Sequence, residues 1–473
     1  MIFPTIQFAV YFVVVFTVSW LLMPKPAAWK PFILAASYVF YGYTDARFVL
    51  LLFGSTVFNQ LMAEVLHRAR AGTQKRVLTW VAVAGNLGAL AWFKYYNFFL
   101  DSVTGLFEKV GWVPPLPLLQ VALPVGISFF TFQALSYVID VKRGAIAPAK
   151  PIDFAVYLAF FPHLVAGPIV RASEFIPQLK GPRDPRHVQA SRAFFLIVGG
   201  LVKKTVIADF LGTKIVQPVF DNPGQHSSFE VLVAIYAYAV QIFCDFSAYS
   251  EMAIGIALLL GFRFPENFDA PYAAVSLQDF WRRWHMSLSR WLRDYLYIPL
   301  GGNRGSRLFT YRNLMLTMLL GGLWHGASWN FVIWGGIHGV GLAVERLAAD
   351  RRAALGHATP RDTVLRRIGG RLITFHVVCF AWVFFRAEGF GAAMDVFNRL
   401  MSFEPGRAVA LNILALVAVG IGMQFLPKNA TARLQHGFSR LAVGAQGAVL
   451  AASLVLVSAF GNQEVAAFIY FQF

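Results

Sequence analysis

The stretch Met318-Leu-Leu-Gly-Gly-Leu-Trp324-His325-Gly-Ala-Ser-Trp329-Asn330-Phe-Val-Ile-Trp334-Gly-Gly-Ile-His338 holds the side chain with the clearest capacity for chemistry. It sets one imidazole between apolar runs and flanks it with glycines, so His325 should lie deep, where irregular backbone is tolerated only around a cavity. A neutral imidazole is well matched to taking a proton from a hydroxyl near pH 7. The competing reading is a core histidine whose nitrogens bond neighbouring carbonyls. The Gly-rich, Trp-lined setting favours the general base.

His285 has two readings as well: packing between Trp281 and Trp291, or a second polar group that orients an acyl carbonyl or an acceptor. Gly301-Gly302-Asn303-Arg304-Gly305 could cradle a phosphate with backbone N–H groups and Arg304. A helix-ending turn explains that run equally, and no full phosphate-loop signature accompanies it. His163 beside Pro162 reads as structural, and His338 and His376 as helix-packing residues. His67, His187, His226, His357 and His436 fall in polar loops and should be solvated. No H-E-x-x-H, cysteine cluster or paired-carboxylate pattern points to a metal or hydrolase site.

The elements that must hold these residues are apolar. Of 473 residues, 57% are hydrophobic and only 14% charged, which marks an all-α polytopic membrane protein and excludes a water-soluble domain. Apolar segments recur from Ile2 to Phe473 with no long polar linker, so residues 1–473 read as one membrane domain. The net charge of +17 does not point to nucleic acid, because Lys and Arg lie mainly in the short connections, as the positive-inside rule requires. Cys244 and Cys379 sit inside apolar segments and read as buried thiols. Ile2 to Met23 lacks a basic n-region and an A-x-A-like end, so it reads as a retained span.

In chain order, spans are expected at Ile2 to Met23, Phe32 to Tyr43, Phe48 to Leu66 and Val77 to Leu100, followed by an outer loop from Asp101 to Pro117. Leu118 to Val141 is interrupted by Pro124 and Gly126. Ile152 to Ile169 is short, broken and basic on both flanks, which suggests a re-entrant segment. Ala193 to Phe220 carries Lys203-Lys204 mid-run and should be partly interfacial. Phe229 to Phe262 fits one span plus a second short helix, with Asp245 and Glu251 inside needing partners. Ser276 to Tyr297 reads as one amphipathic interfacial helix, aromatic on one side, with Asp279–Arg283 and Arg290–Asp294 as four-residue charge pairs. Basic clusters at 304–312 and 346–371 bracket the opening stretch. Asn313 to His325 spans roughly 20 Å as a helix, so the hairpin need not fully cross. Leu372 to Phe385, Phe390 to Met401, Leu411 to Leu426 and Leu441 to Phe460 follow, then an apolar tail from Ala466 to Phe473. The count is about ten to twelve embedded helices.

Several blocks resemble the membrane-bound O-acyltransferase (MBOAT) family, in its bacterial branch of alginate O-acetyltransferase and teichoic acid D-alanyl transfer subunits. They are Val125-Gly-Ile-Ser-Phe-Phe-Thr-Phe-Gln, Phe161-Pro-His-Leu-Val-Ala-Gly-Pro168, Phe243-Cys-Asp-Phe-Ser-Ala-Tyr-Ser-Glu, Asp279-Phe-Trp-Arg-Arg-Trp-His285, Trp291 to Arg304 and Gly321-Gly-Leu-Trp-His325-Gly. The alginate-type likeness looks closer, because the Trp-Arg-Arg-Trp-His and Gly-Gly-Asn-Arg-Gly runs follow it. The resemblance implies a ring of tilted transmembrane and re-entrant helices around a central thinned funnel, with the core at about 118–345. His325 matches the histidine at the narrow part, and His285 the second polar position.

The resemblance also implies the reaction and the partners. An acyl thioester donor, acetyl-CoA or an acyl carrier thioester, would approach from the basic cytoplasmic side and pass its acetyl group across the bacterial cytoplasmic membrane. The acceptor would be an exported polysaccharide or an extracytoplasmic acyltransferase partner. His325 would deprotonate the acceptor, and the tetrahedral oxyanion would need donors. Trp284, Trp324 and Asn330 carry N–H groups and lie close in sequence to the two histidines. No bound cofactor is expected, and membrane lipid is the surrounding partner. D-alanyl transfer to an envelope polymer and a non-catalytic transporter or scaffold are the competing functions.

Overall fold

The computed structural model describes residues 1, 3–109, 111, 123–356, 362–406, 408–427, 429–460 and 468, and among them every regular element is a helix. His357, most of the expected 110–122 connection and the 466–473 tail apart from Phe468 lie outside the described residues. Among the described residues, five helices are long and apolar enough to cross a membrane: Arg47–Arg68, Thr73–Glu108, Ser228–Leu259, Trp329–Ala354 and Val364–Arg386. Large side chains stand exposed on them, Leu50 at 72%, Trp80 at 64% and Ile373 at 68%. Exposure of that kind on apolar helices is what a lipid solvent rewards. The chain is an integral membrane protein.

The described residues pack as two compact units, Met1–Ala190 with Ile256–Pro265, and Ser191–Gly255 with Glu266–Phe473. In the first, polar side chains tie apolar helices together where lipid offers no partner. Asn59 and Asn86 exchange amide hydrogen bonds of 3.1 and 2.7 Å between helices Arg47–Arg68 and Thr73–Leu90. Gln60 donates to the Ala149 carbonyl at 2.9 Å and accepts from the Tyr137 hydroxyl at 3.1 Å. The Arg183 guanidinium lies 4.3 Å from the ring centroids of both Trp29 and Phe262. The 152–169 stretch is indeed broken, into Pro151–Ala159 and Phe161–Leu164, and His163 is fully buried with its Nε2 2.8 Å from the Tyr157 carbonyl. Thr73–Leu90 continues through a wide turn at Ala91–Tyr95 into Tyr96–Glu108, so the start of the expected outer loop is helical.

In the second unit, four expectations are corrected. Ser228–Leu259 is a single helix of 32 residues, not a span plus a short piece. The segment from Ala190 to Asp221, expected to be partly interfacial at Lys203-Lys204, carries the second of those lysines into the protein interior. It winds through two wide turns, Val202–Ala208 and Gly212–Val216, and buries Lys204 to 1% exposure. The Lys204 ammonium sits 2.8 Å from a carboxylate oxygen of Asp209 and 2.8 Å from one of Asp245, while Lys203 pairs with Glu251. The partners that Asp245 and Glu251 require are thus the two lysines. The 276–297 stretch is two helices, Leu277–Arg283 and Met286–Leu292, followed by a wide turn at Arg293–Tyr297. Asp279 does pair with Arg283 at 2.9 Å, but Asp294 pairs with its neighbour Arg293 at 2.7 Å. Helix Arg307–His325 begins six residues before Asn313. Its 19 residues span about 28 Å, close to the hydrocarbon thickness.

Candidate active site

Helix Arg307–His325 stops at its histidine because Gly326 is extended and Ser328 caps the next helix, Trp329–Ala354, its hydroxyl accepting from Asn330 N at 3.3 Å. The two helices approach through glycine. A Cβ on Gly322 would stand 2.2 Å from the Phe331 carbonyl oxygen, and one on Gly335 2.3 Å from that of Met318. A Cβ on Gly326 would meet the Phe331 ring at 2.0 Å. The Gly-Gly pairs of the opening stretch therefore set the spacing of a tight hairpin.

That hairpin holds His325 at 3% exposure within a shell of aromatic rings. Its imidazole centroid lies 5.0 Å from Trp324, 4.9 Å from Trp334 and 5.4 Å from Phe385. His285 comes from a different element, the break between Leu277–Arg283 and Met286–Leu292. Its φ of 41° is left-handed, a conformation costing a non-glycine residue roughly 1–2 kcal/mol. Asn267 holds the bend: its carbonyl accepts from Met286 N at 2.9 Å and its side-chain oxygen from Ser287 N at 3.2 Å. The result turns the His285 ring inward, fully buried, 4.6 Å from Phe246 and 6.2 Å from Trp324. Neither of its ring nitrogens has a hydrogen-bond partner among the described residues.

The other expected site residues are placed as follows. Trp324 touches both histidines. Trp284 is buried and packs on Phe280, Phe268 and Trp382. Asn330 is buried, and its amide donates to the Ala387 carbonyl at 2.9 Å, tying the hairpin to the end of helix Val364–Arg386. Arg304 is exposed in the turn after Tyr297, and no contact joins it to the aromatic shell among the described residues. That turn uses its own N–H groups: Gly301 N donates to Ile298 O, Gly302 N to Tyr297 O and Arg304 N to Gly301 O. It is built as a helix ending.

His338 packs against aromatic rings, as the sequence suggests. It lies fully buried, 4.9 Å from Trp334 and 5.2 Å from Trp281, and neither ring nitrogen has a hydrogen-bond partner among the described residues. Its place four residues after Trp334, on one helix face, is the signal for that packing. Phe385 was missed as a site residue. With Phe331 it lines a cavity of about 530 Å³, whose other walls include Asp221, Ser328, Arg386 and Glu388. Phe385 thus lines the cavity and lies 5.4 Å from His325 between ring centroids, itself only 1% exposed. His226, expected to be solvated, is half-buried with Nδ1 3.4 Å from Glu230, and His376 is exposed and bonds the Tyr236 hydroxyl at 2.8 Å.

Among the described residues the protein is thus all-helical and brings two buried histidines against one tryptophan. The chain belongs to the membrane-bound O-acyltransferase family, whose model matches residues 33–385, and it is an O-acyltransferase. Among curated relatives, it is 44% identical over 397 residues to the probable alginate O-acetylase AlgI of Pseudomonas aeruginosa, covering 82% of this chain and 73% of that one. It is 37% identical over 403 residues to the peptidoglycan O-acetyltransferase of Helicobacter pylori, covering 79% and 74%. The teichoic acid D-alanyltransferase of Streptococcus thermophilus is more distant, 28% identical over 281 residues, covering 55% and 68%.

Proposed function

We propose that this chain passes an acetyl group from a cytoplasmic thioester, acetyl-CoA or an acylated carrier, across the bacterial cytoplasmic membrane for O-acetylation of an exported polysaccharide. The observation that carries this reading is the buried His325–Trp324–His285 cluster at the apex of a hairpin whose other ends are basic. The relatives named as alginate and peptidoglycan acetylating proteins support the acetyl group and a glycan acceptor.

The step balances as follows. A ring nitrogen of His325 takes the proton of the acceptor hydroxyl, and the oxygen attacks the thioester carbonyl. The tetrahedral oxyanion collapses, the C–S bond breaks, and the histidine returns the proton to the leaving thiolate. His285, with both nitrogens available, orients the carbonyl or stabilises the oxyanion. The indole N–H groups of Trp324 and Trp284 are candidate donors to the same oxygen. Asn330 acts indirectly, holding the hairpin to Ala387. Arg304, with the exposed arginines near it in sequence, meets the donor's phosphates at the inner face.

Replacing His325 with Ala tests the reading. The expected result is loss of polysaccharide O-acetyl ester by 10²-fold or more, with the protein still in the membrane. Acetylation at the normal level would refute the catalytic role of His325. Mass analysis of the ester lost on deleting the chain separates acetyl from D-alanyl transfer.

A further inference from the structure

The first unit holds a cavity that the reaction above does not use, of about 100 Å³, with Arg183, Asp184, His187, Phe262 and Arg263 among its walls. It is built around Arg183. The half-buried guanidinium lies 4.3 Å from the ring centroids of Trp29 and Phe262, its Nε donates to the Met23 sulfur at 3.0 Å, and its Nη1 donates to the Gln178 carbonyl at 3.0 Å. Gly261 makes room for the stem: its φ is 83°, and a Cβ there would stand 2.9 Å from Arg183 Cδ. None of these neighbours is an anion. Among the described residues neither Arg183 nor Arg263 pairs with a carboxylate.

A guanidinium drawn partly out of water calls for a counter-charge, and two aromatic faces offset only part of that need. The carboxylate on the wall does not supply it. Asp184 is held by Arg186, whose Nε and Nη2 donate to its two oxygens at 3.0 and 2.8 Å. The Gln178 side chain fixes the backbone of Arg263 on the opposite wall, accepting from its N–H at 2.9 Å and donating to its carbonyl at 3.1 Å. The result is three guanidinium groups against one carboxylate around a space fit for a single anionic group. A whole nucleotide coenzyme needs several times that volume.

The cavity also has an address in the bilayer. Lys25, Lys180, Arg183, Arg186 and Arg263 gather where the connection after helix Ile6–Leu22 meets segment 176–190 and the end of helix Ser228–Leu259, which by the positive-inside rule is the cytoplasmic end. Trp20, of the kind that marks a membrane interface, donates its indole N–H to the Leu259 carbonyl at 3.0 Å. Val10, Val14 and Leu21 stand exposed on one face of the same apolar helix, at 61%, 57% and 74%. A phosphate bound at Arg183 thus has a lipid-facing surface beside it, and basic pockets of this kind on the cytoplasmic side suit lipid headgroups.

We propose that this cavity binds the phosphodiester of an anionic inner-leaflet phospholipid through Arg183 and Arg263, with the acyl chains lying along helix Ile6–Leu22. The site stands apart from the acyl-transfer reading of His325 and does not depend on it.

The test takes the full chain, purified in neutral detergent, and titrates it separately with phosphatidylglycerol, phosphatidylcholine and inorganic phosphate. Native mass spectrometry counts bound lipid, and the melting temperature reports its stabilising effect. Phosphatidylglycerol is expected to bind and to raise the melting temperature at concentrations where phosphatidylcholine and phosphate do not. Arg263→Gln, at an exposed side chain, should weaken that binding about fivefold and leave the lipid-free protein folded. Arg183→Gln should weaken it further. Arg70→Gln, at an exposed basic position away from the cavity, should leave it unchanged. Equal stabilisation by phosphatidylcholine, or full phosphatidylglycerol binding by Arg263→Gln, overturns the proposal. So does an equal loss in Arg70→Gln, which would mean diffuse attraction to a basic surface. An equal effect of inorganic phosphate would assign the cavity to a free anion and overturn the lipid.

Discussion

His285, in the break between two short helices, and His325, at the end of another, both pack against the ring of Trp324, at 6.2 and 5.0 Å. His285 reaches that ring only by taking a left-handed backbone, and its side chain and its strain can be tested separately. In His285→Gly the backbone is relieved, because glycine adopts φ near 41° without penalty, and the imidazole is gone. The protein should fold at least as well as the wild type and lose acetyl transfer by about 10- to 100-fold. Normal activity in a well-folded His285→Gly protein would remove the imidazole from the mechanism. His285→Ala, which keeps the strain, should lose activity to the same degree and be less stable than His285→Gly.

The hairpin spacing predicts a stability defect far larger than one methyl group ordinarily produces. Gly335→Ala places a Cβ against the Met318 carbonyl, a backbone atom that cannot turn aside. Separating the helices should cost about 1–3 kcal/mol and displace His325. A lowered melting temperature in detergent, with activity reduced more than yield, is the expected pair of results. Gly336→Ala is the control, since its nearest neighbour is a leucine methyl at 3.7 Å.

Lys204 predicts non-additive substitutions. Lys204→Met leaves Asp209 and Asp245 buried without their shared cation and should destabilise the protein by about 3–5 kcal/mol. The triple change Lys204→Met, Asp209→Asn, Asp245→Asn removes all three charges and should recover most of that loss. Thermal unfolding of the wild type, Lys204→Met, the pair Asp209→Asn, Asp245→Asn and the triple variant in one detergent decides it, and simple additivity would contradict the shared-ion account.

Arg183 predicts a difference between two cations. Burial pushes its guanidinium down to about 10, still protonated at neutral pH, and its flat face lies on Trp29 and Phe262 while Nη1 donates to the Gln178 carbonyl at 3.0 Å. Lysine keeps the charge but not the planar fork. Arg183→Lys should therefore lower stability by about 1 kcal/mol and Arg183→Ala by more, measured as shifts in melting temperature.

The sequence made some of this architecture legible, for physical reasons that differ from element to element. The apolar spans, the depth of His325 and the need of Asp245 and Glu251 for partners follow from the cost of polar groups in lipid, which acts on every residue locally. The break at His285 was not legible. Trp281, Trp284, His285 and Trp291 follow helical spacing, and only the tertiary hydrogen bonds that Asn267 accepts reveal that the helix is interrupted there. The burial of Lys204 was hidden for the same reason, since its cage is assembled from Asp209 on its own segment and Asp245 on the next helix. Phe385 looks like an ordinary packing residue until its neighbour His325 is known.

The Lys204 cluster also bears on how the chain is built. Asp245 enters the bilayer on helix Ser228–Leu259, synthesised after the segment that carries Lys204 and Asp209. When that later helix leaves the translocon its carboxylate meets a lysine already waiting nearby, so the order of residues along the chain is also a sensible order of insertion. Moving the lysine to a segment made later would send an unescorted acid into lipid, and the quality-control proteases of the cell would be the first to register the change.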